Sequence, residues 1–312
     1  MTASESTNTA IVFPGMGPSS FSEVGKFLML DPFARKRLAE ADEALGYSVF
    51  DRLRESEEDY SEATQIAFLV NSMASADRAE EELGIVPGLC VGPSFGQKAA
   101  TAYTGALPFP EVVRLTAELA RVEQRYFTEE YQDAVTHTFV RTAPEKLAEI
   151  LADFDERGRW YDFSGHLDSG FHMVSLSERD LEGFKQRISQ AGGYSMYTMV
   201  PAVHAPAFTE LRRRAAEEVF PRYEFADPKL PIVTDQDGSV ITTADRLRTM
   251  LLDTFDLPID WPKVVGALRT AGVTKLCIAG PDNLFHRLDC TKDNFQVVTV
   301  GPGKRQRVPR AR

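Results

Sequence analysis

Short apolar runs alternate with amphipathic stretches along the chain, and this alternation is typical of an α/β protein. The run from Ala10 to Phe13 is apolar throughout and is predicted to be a buried strand. Residues 32–41 have apolar positions at helical spacing and a proline in the first turn, and a second such segment, 62–82, stops at Gly84. We expect both helices to serve packing.

The middle third of the chain is predicted to form a unit of its own. Its predicted strands are 135–141, 160–164, 171–176 and 194–200, and its predicted helices are 144–154 and 179–191. The resulting β-α-β-β-α-β order is the split βαβ arrangement. The chain is therefore predicted to consist of a large subdomain, residues 1–132 and 201–312, and a small inserted subdomain, residues 133–200, with a cleft at their junction.

A glycine-flanked serine follows another apolar run, Leu89 to Val91. Residues 92–96 read Gly-Pro-Ser-Phe-Gly, and an alanine-rich helix start follows them. In a strand-turn-helix of this type, the serine hydroxyl stands above the end of the sheet and the next amide lies at a helix N-terminus. A solvated turn would also fit these five residues. The strand before and the helix after favour Ser94 as a nucleophile.

A serine hydroxyl needs a base that accepts its proton, and histidine is the usual one. The other histidines are predicted to lie in strands (His137, His172), in the central turn of the small subdomain (His166) and on the last helix (His286). His204 follows the last strand of the small subdomain and precedes Ala-Pro, which places it on a loop at the cleft. Position alone does not separate it from the other four.

Five short motifs occur in order along the chain. They are Phe-Pro-Gly-Met-Gly at 13–17, Gly-Pro-Ser-Phe-Gly-Gln at 92–97, Val-His-Ala-Pro at 203–206, Pro-Ile-Asp-Trp at 258–261 and Gly-Pro at 280–281. Together they resemble the malonyl-CoA:acyl carrier protein transacylase family, in which the first two read Phe-Pro-Gly-Gln-Gly and Gly-His-Ser-x-Gly-Glu. The resemblance covers nearly the whole chain. It implies an α/β hydrolase-like large subdomain with a parallel sheet and an inserted ferredoxin-like (βαββαβ) small subdomain.

The resemblance also implies roles for single residues. Ser94 would be the nucleophile, His204 the base, and the backbone N–H groups of Met16 and Phe95 the oxyanion hole. Because those donors are backbone groups, methionine in place of the family's glutamine need not weaken them. The backbone carbonyl of Asp260 would orient the histidine. Two other roles stay open for the Asp260 side chain, that of a triad acid and that of a helix N-cap.

Two departures from the family concern the acyl group. The family's carboxylate-binding arginine is replaced by Leu119, and the histidine before the nucleophile is replaced by Pro93. An apolar pocket formed by Pro93, Leu119 and Val203 would not compensate a carboxylate, so we expect a non-carboxylated acyl group. Arg114 or Arg121 could replace the missing guanidinium, but neither shares a close helical face with Leu119.

Composition narrows the class of protein. The net charge of −11 argues against a nucleic-acid surface, and no apolar run is long enough for a membrane span or a signal core, so we expect a cytoplasmic protein. The three cysteines lack metal-ligand spacing, and neither a metal nor a bound cofactor is expected. We also expect a monomer.

The expected partner is an acidic acyl carrier protein that presents its substrate on phosphopantetheine, so docking would need local basic residues. The candidates are Lys146, Lys185, Arg187, Arg287 and Lys292, whereas the basic run 304–307 is expected to be a mobile tail.

The sequence thus predicts a discrete acyltransferase of a polyketide or antibiotic pathway. It would move an acyl group, such as an aminoacyl or peptidyl unit, between pantetheine thioesters through an acyl-serine intermediate. Two alternatives stay open: a proofreading hydrolase that releases the acyl group to water, and a decayed, non-catalytic module that only binds carrier proteins.

Overall fold

The computed structural model describes residues 8–17, 20–56, 58–131 and 133–302. The predicted basic tail at 304–307 lies outside these residues. Two sheets organise the described chain.

The strands are β1 (Thr9–Val12), β2 (Leu89–Val91), β3 (Ala134–Val140), β4 (Tyr161–Asp168), β5 (Phe171–Ser177), β6 (Tyr194–Met199), β7 (Ile232–Val233), β8 (Val240–Ile241), β9 (Ile259–Asp260), β10 (Lys275–Ala279) and β11 (Gln296–Val300). The α-helices are α1 (Phe21–Leu30), α2 (Pro32–Leu45), α3 (Val49–Glu55), α4 (Glu62–Leu83), α5 (Gly96–Tyr103), α6 (Phe109–Glu129), α7 (Pro144–Glu156), α8 (Glu178–Gln190), α9 (Thr209–Glu218), α10 (Ala244–Asp256), α11 (Trp261–Thr270) and α12 (Asp289–Lys292).

The first sheet belongs to the large subdomain and has the strand order β11-β10-β1-β2-β7-β8. All its pairs are parallel except β7 with β8. Strand β1 is buried on both faces, as expected for a parallel strand covered by helices. Because parallel strands end at the same edge, the loops that follow β1, β2, β7 and β10 meet there.

The second sheet has the order β6-β3-β5-β4-β9. Strands β3 to β6 pair antiparallel, and β9 from the large subdomain adds to β4 in parallel. Helices α7 and α8 pack on this sheet through Leu147, Phe154 and Phe184. The predicted α/β class, with a parallel large sheet and a ferredoxin-like small subdomain, is confirmed.

The predicted secondary-structure elements all occur, with ends that differ by a few residues. Two histidines lie elsewhere than predicted. His166 is in β4 and not in a turn, because β4 continues to pair with β5 and β9 and the chain reverses only near Gly170, which has a positive φ of 66°. His286 lies in a short 3₁₀ turn, Phe285–Arg287, and not on a helix. Among the described residues, no helix combines the length and the apolar character that crossing a membrane requires.

Candidate active site

The turn between β2 and α5 is packed so tightly that two of its residues must be glycine. A Cβ atom at Gly92 would collide with the carbonyl of Gly96, and one at Gly96 would collide with the carbonyl of Phe13. Ser94 lies between them with a φ of 54°, a left-handed conformation that is uncommon for a residue with a side chain. The turn is closed by the Gly96 N–H, which donates to the Pro93 carbonyl at 2.9 Å.

The structure brings Ser94 and His204 together. Ser94 Oγ lies 2.7 Å from His204 Nε2, although the two residues are 110 positions apart. His204 is only 2% exposed and also has a positive φ, 57°. Two strained residues in direct contact are typical of a functional site. This is the geometry of a nucleophile and its base.

Burial sets the protonation state of the histidine. Burial lowers the pKa of His204 to about 4, and the backbone carbonyls of Thr254 and Leu257 partly oppose this effect. The ring is therefore neutral at pH 7. Among the described residues, no group is hydrogen-bonded to Nδ1. Because Nε2 faces Ser94 Oγ, Nδ1 is the ring nitrogen that remains available to these carbonyls. The tautomer with hydrogen on Nδ1 leaves Nε2 free to accept the serine proton.

The Asp260 side chain has the helix N-cap role that the sequence left open, and not that of a triad acid. Its Oδ1 accepts a hydrogen bond from the Lys263 N–H at 3.2 Å as the N-cap of α11, and its Oδ2 lies 2.9 Å from Lys263 Nζ. The carbonyls that act on the pKa of His204 belong to Thr254 and Leu257, and the Asp260 carbonyl, for which the resemblance implied the orienting role, is not among them. The difference arises because α10 ends beside the histidine, whereas Asp260 lies in β9 and belongs to the second sheet.

The predicted oxyanion-hole residues lie on either side of the serine. A Cβ atom on Gly15 would be 3.4 Å from Ser94 Cβ, so the loop that carries Met16 runs directly beside Ser94. Phe95 is the N-cap of α5. Among the described residues, no acceptor is hydrogen-bonded to the N–H of Met16 or of Phe95. Both amides are therefore available to a ligand oxygen.

The sequence reasoning missed a buried carboxylate below the turn. Asp235, which follows β7, accepts hydrogen bonds from the Ser94 N–H at 2.6 Å and from Gln97 Nε2 at 2.5 Å. The one sequence feature that could have indicated this role is the position of Asp235 directly after β7, the strand beside β2. Strand β7 is too short to be predicted from its two residues.

A cavity extends from Ser94 and His204 between the two subdomains, and we call it the acyl cavity because Leu119 and Val203, two of the residues predicted for the acyl pocket, line it. Leu119 is 2% exposed. Pro93 does not line it: this residue is buried in the turn, where its carbonyl accepts the Gly96 N–H. That part of the predicted pocket is wrong.

The acyl cavity is not wholly apolar, which the sequence reasoning also missed. Lys98 is 7% exposed, and its Nζ donates to Gln65 Oε1 at 3.2 Å. Gln65 Nε2 in turn lies 3.3 Å from Glu123 Oε2. Burial lowers the pKa of Lys98, and the charge of Glu123 partly opposes that effect. Lys98 Nζ also lies 4.5 Å from the centre of the Phe95 ring.

The two arginines that could replace the missing carboxylate-binding arginine point elsewhere. Arg121 Nε donates to Glu62 at 2.7 Å, and Arg114 Nε donates to the Ala44 carbonyl at 3.1 Å. Neither lines the acyl cavity.

A second cavity of about 490 Å³ reaches Ser94 and His204 from the other side, and we call it the entrance channel. Its walls include Met16, Leu284 and Arg287. Arg287 is exposed, and its Nε donates to His286 Nε2 at 3.2 Å.

The other predicted docking residues are engaged in ion pairs. Lys146 pairs with Glu149, Lys185 with Glu182, Arg187 with Asp153 and Lys292 with Asp289. The structure therefore places only Arg287 of these five beside a channel to the serine. The described residues include no group of three or more His, Cys, Asp or Glu side chains that could hold a metal ion.

Two kinds of sequence similarity link the chain to known acyltransferases. Residues 138–199 match the family described as the VinK acyltransferase small domain. The chain is 26% identical over 292 residues to the malonyl CoA-acyl carrier protein transacylase of Escherichia coli K12, covering 89% of this chain and 91% of that one. The Bacillus subtilis enzyme of the same name is also 26% identical, with 89% of this chain and 70% of that one covered. The chain is thus similar in sequence to malonyl CoA-acyl carrier protein transacylases.

Solved structures share the fold of this chain. A malonyl-transacylase in complex with a type II PKS acyl-carrier protein superposes with a TM-score of 0.83 at 20% identity, covering 95% of this chain and 96% of the other. FabD from Acinetobacter baumannii gives 0.82 at 18% identity, with 96% and 95% covered. The curated relatives are named malonyl CoA-acyl carrier protein transacylases, and their similarity to this chain extends over most of its length.

Proposed function

We propose that this chain transfers a non-carboxylated acyl group from one pantetheine thioester to another, between acyl carrier proteins of a polyketide pathway. The match to the VinK acyltransferase small domain supports acyl transfer. The likeness to a transacylase bound to a type II PKS acyl-carrier protein supports this class of partner. The observation that carries the proposal is Leu119, buried in the wall of the acyl cavity where the resemblance implies a carboxylate-binding arginine.

The reaction proceeds in two half-reactions. Ser94 Oγ attacks the thioester carbonyl while its proton passes to His204 Nε2, 2.7 Å away. The amides of Met16 and Phe95 stabilise the tetrahedral oxyanion. The C–S bond breaks, the imidazolium returns its proton to the thiolate, and acyl-Ser94 remains. The thiol of the second carrier then attacks the ester, and the same proton movements run in reverse.

The charges in the acyl cavity favour an acyl group without a carboxylate. The only cation in its described lining is Lys98, and that ammonium is already bound to Gln65 and compensated by Glu123. A substrate carboxylate would have to displace these partners and lose its own hydration.

The far end of the acyl cavity favours an amine on the acyl chain. Tyr60, Gln65 and Glu123 line both this cavity and a neighbouring groove of about 600 Å³. That acidic groove also contains Glu58, Asp59 and Glu62, and no Lys or Arg is among its described lining residues. A chain that reaches Glu123 would place an ammonium group beside a carboxylate, and this arrangement suits an aminoacyl or peptidyl unit.

The test compares malonyl, butyryl and β-alanyl pantetheine thioesters as donors, with a holo-carrier protein as acceptor. We expect wild-type kcat/KM to be highest for the β-alanyl donor and lowest for malonyl. Glu123→Gln should lower kcat/KM for β-alanyl about tenfold and leave butyryl within about twofold, since one charge-assisted contact is lost. Glu129→Gln, which changes a carboxylate on the same helix outside the cavity, is the matched control.

Two outcomes would contradict the proposal. A wild-type preference for malonyl that Lys98→Met abolishes would make Lys98 the carboxylate clamp. Release of the acyl group to water at the same rate with and without the acceptor would make the protein a hydrolase.

A further inference from the structure

The carboxylate of Asp235 is buried in direct contact with the backbone of the nucleophile. Asp235 is 1% exposed, and both of its oxygens are used: one accepts the Ser94 N–H and the other accepts Gln97 Nε2. Its own backbone carbonyl accepts the Asp260 N–H at 2.8 Å, which ties the loop after β7 to β9. The side chain is therefore fixed from two directions.

This carboxylate has no cationic partner among the described residues. Burial raises the pKa of Asp235 to about 6, and the hydrogen bonds from Ser94 and Gln97 only partly oppose this effect. A buried carboxylate that is compensated only by neutral donors is costly, so it lowers the stability of the folded protein. The hydrogen bonds of the Asp235 side chain indicate its role.

The two donors are the parts of the turn that decide where the serine hydroxyl points. Ser94 has a left-handed backbone, which costs free energy, and a hydrogen bond to a carboxylate is about twice as strong as a neutral one. Gln97 lies in the first turn of α5, three residues after the serine. With the Ser94 amide bonded to Asp235, Ser94 Oγ faces His204 and the amide of Phe95 stays unpaired.

We propose that Asp235 and Gln97 form a positioning pair that holds the Ser94 hydroxyl in line with His204. Neither residue exchanges a proton with the substrate. The pair acts through the backbone of Ser94, so its loss lowers the reactivity of the serine towards every electrophile. This inference rests on the proposed function only in requiring that Ser94 is the nucleophile.

The experiment interchanges the carboxylate and the amide of Asp235 and Gln97 and measures how fast a fluorophosphonate labels Ser94. This probe reacts with an activated serine and does not depend on the acyl specificity. Gln97→Glu places two carboxylates in contact and should lower the maximal labelling rate about 100-fold, because small displacements of a nucleophile have effects of that size. In the double variant Asp235→Asn with Gln97→Glu, the new amide can donate to the new carboxylate and still accept the Ser94 N–H. We expect at least about tenfold recovery over Gln97→Glu alone.

The concentration for half-maximal labelling should change less than about threefold throughout, since the probe's contacts remain. Asp237→Asn is the matched control, because it removes a carboxylate from the same loop. The Asp237 carboxylate accepts hydrogen bonds from Thr234 and Ser239 and does not contact Ser94. The variant should change thermal stability without changing the labelling rate.

A double variant no faster than Gln97→Glu, with all proteins folded by circular dichroism, would overturn the positioning role. If Gln97→Glu does not fold, Asp235→Ala replaces it, and an unchanged labelling rate in that variant would overturn the role equally. Absence of labelling in wild-type protein would instead contradict the proposed function.

Discussion

The two ends of the cleft are built on different principles. At the reaction end, Ser94 and His204 are held at 2.7 Å by strained backbones, tight glycine contacts and a buried carboxylate. At the acyl end, side chains determine which acyl group fits: Leu119 provides apolar surface, and Lys98 and Glu123 are joined through Gln65. Changes at the reaction end should therefore affect all donors alike, whereas changes at the acyl end should alter the ratio between donors.

The largest effect is expected from His204→Ala. Without the base, acylation of Ser94 should slow by roughly 10⁴-fold or more for every thioester donor, while the fold persists. Stopped-flow or quenched measurement of acyl-enzyme formation checks this, with Ser94→Ala as the blank that forms no adduct. A loss confined to one donor would mean that His204 contributes to the acyl cavity and not to the chemistry.

Leu119→Arg should produce the clearest change at the acyl end. An unpaired guanidinium in an apolar wall is costly, so we expect kcat/KM for a butyryl donor to fall by more than about tenfold. Malonyl transfer should rise from a low level. The labelling rate of Ser94 by a fluorophosphonate should stay within about threefold, since the reaction end is unchanged. Equal losses for butyryl and malonyl donors would show that Leu119 only packs.

The pH profile of acylation separates the two buried titratable groups. Because burial lowers the pKa of His204 to about 4, its base form persists at pH 5, and protonation of His204 should reduce activity only as pH falls towards 4. Asp235, whose pKa is raised to about 6, accounts for any decline near pH 6, and Asp235→Asn should remove that decline. A decline near pH 6.5 in both proteins would contradict a buried, neutral histidine.

Arg287→Glu should have the smallest effect. Arg287 is exposed beside the entrance channel and makes no ion pair among the described residues, so charge reversal should weaken an acidic carrier and raise KM for the carrier-bound donor about three- to tenfold. A small pantetheine donor should be unaffected. Lys146→Glu, which breaks an ion pair on α7, is the control, and an equal rise in both variants would remove Arg287 from the docking site.

The elements of the fold with strong periodicity could be read from the sequence. Helix α4 and strands β3 and β5 have long regular patterns, and Ser94 lies in a compact local motif. The partners of Ser94 and His204 could not be predicted in this way. Asp235 follows a two-residue strand, and Thr254 and Leu257 contact His204 only because α10 packs beside the cleft. Such contacts depend on tertiary packing and leave no local pattern.

The acyl cavity shows the same limit. Leu119 was predicted from one position on α6, and it lines the cavity. Lys98 lies four residues after Ser94 in the alanine-rich helix start, and the sequence alone predicts an exposed lysine there. Its burial depends on Gln65 of α4 and Glu123 of α6, which meet only in the folded chain.

The most direct test of the account is intact mass of the wild-type protein after incubation with equimolar malonyl, butyryl and β-alanyl pantetheine thioesters together. We expect butyryl and β-alanyl adducts, with β-alanyl predominant, both localised to Ser94 by peptide mapping and both absent from Ser94→Ala. They should disappear when a holo-carrier protein is added. A predominant malonyl adduct on Ser94, or an adduct that persists in Ser94→Ala, would contradict the account.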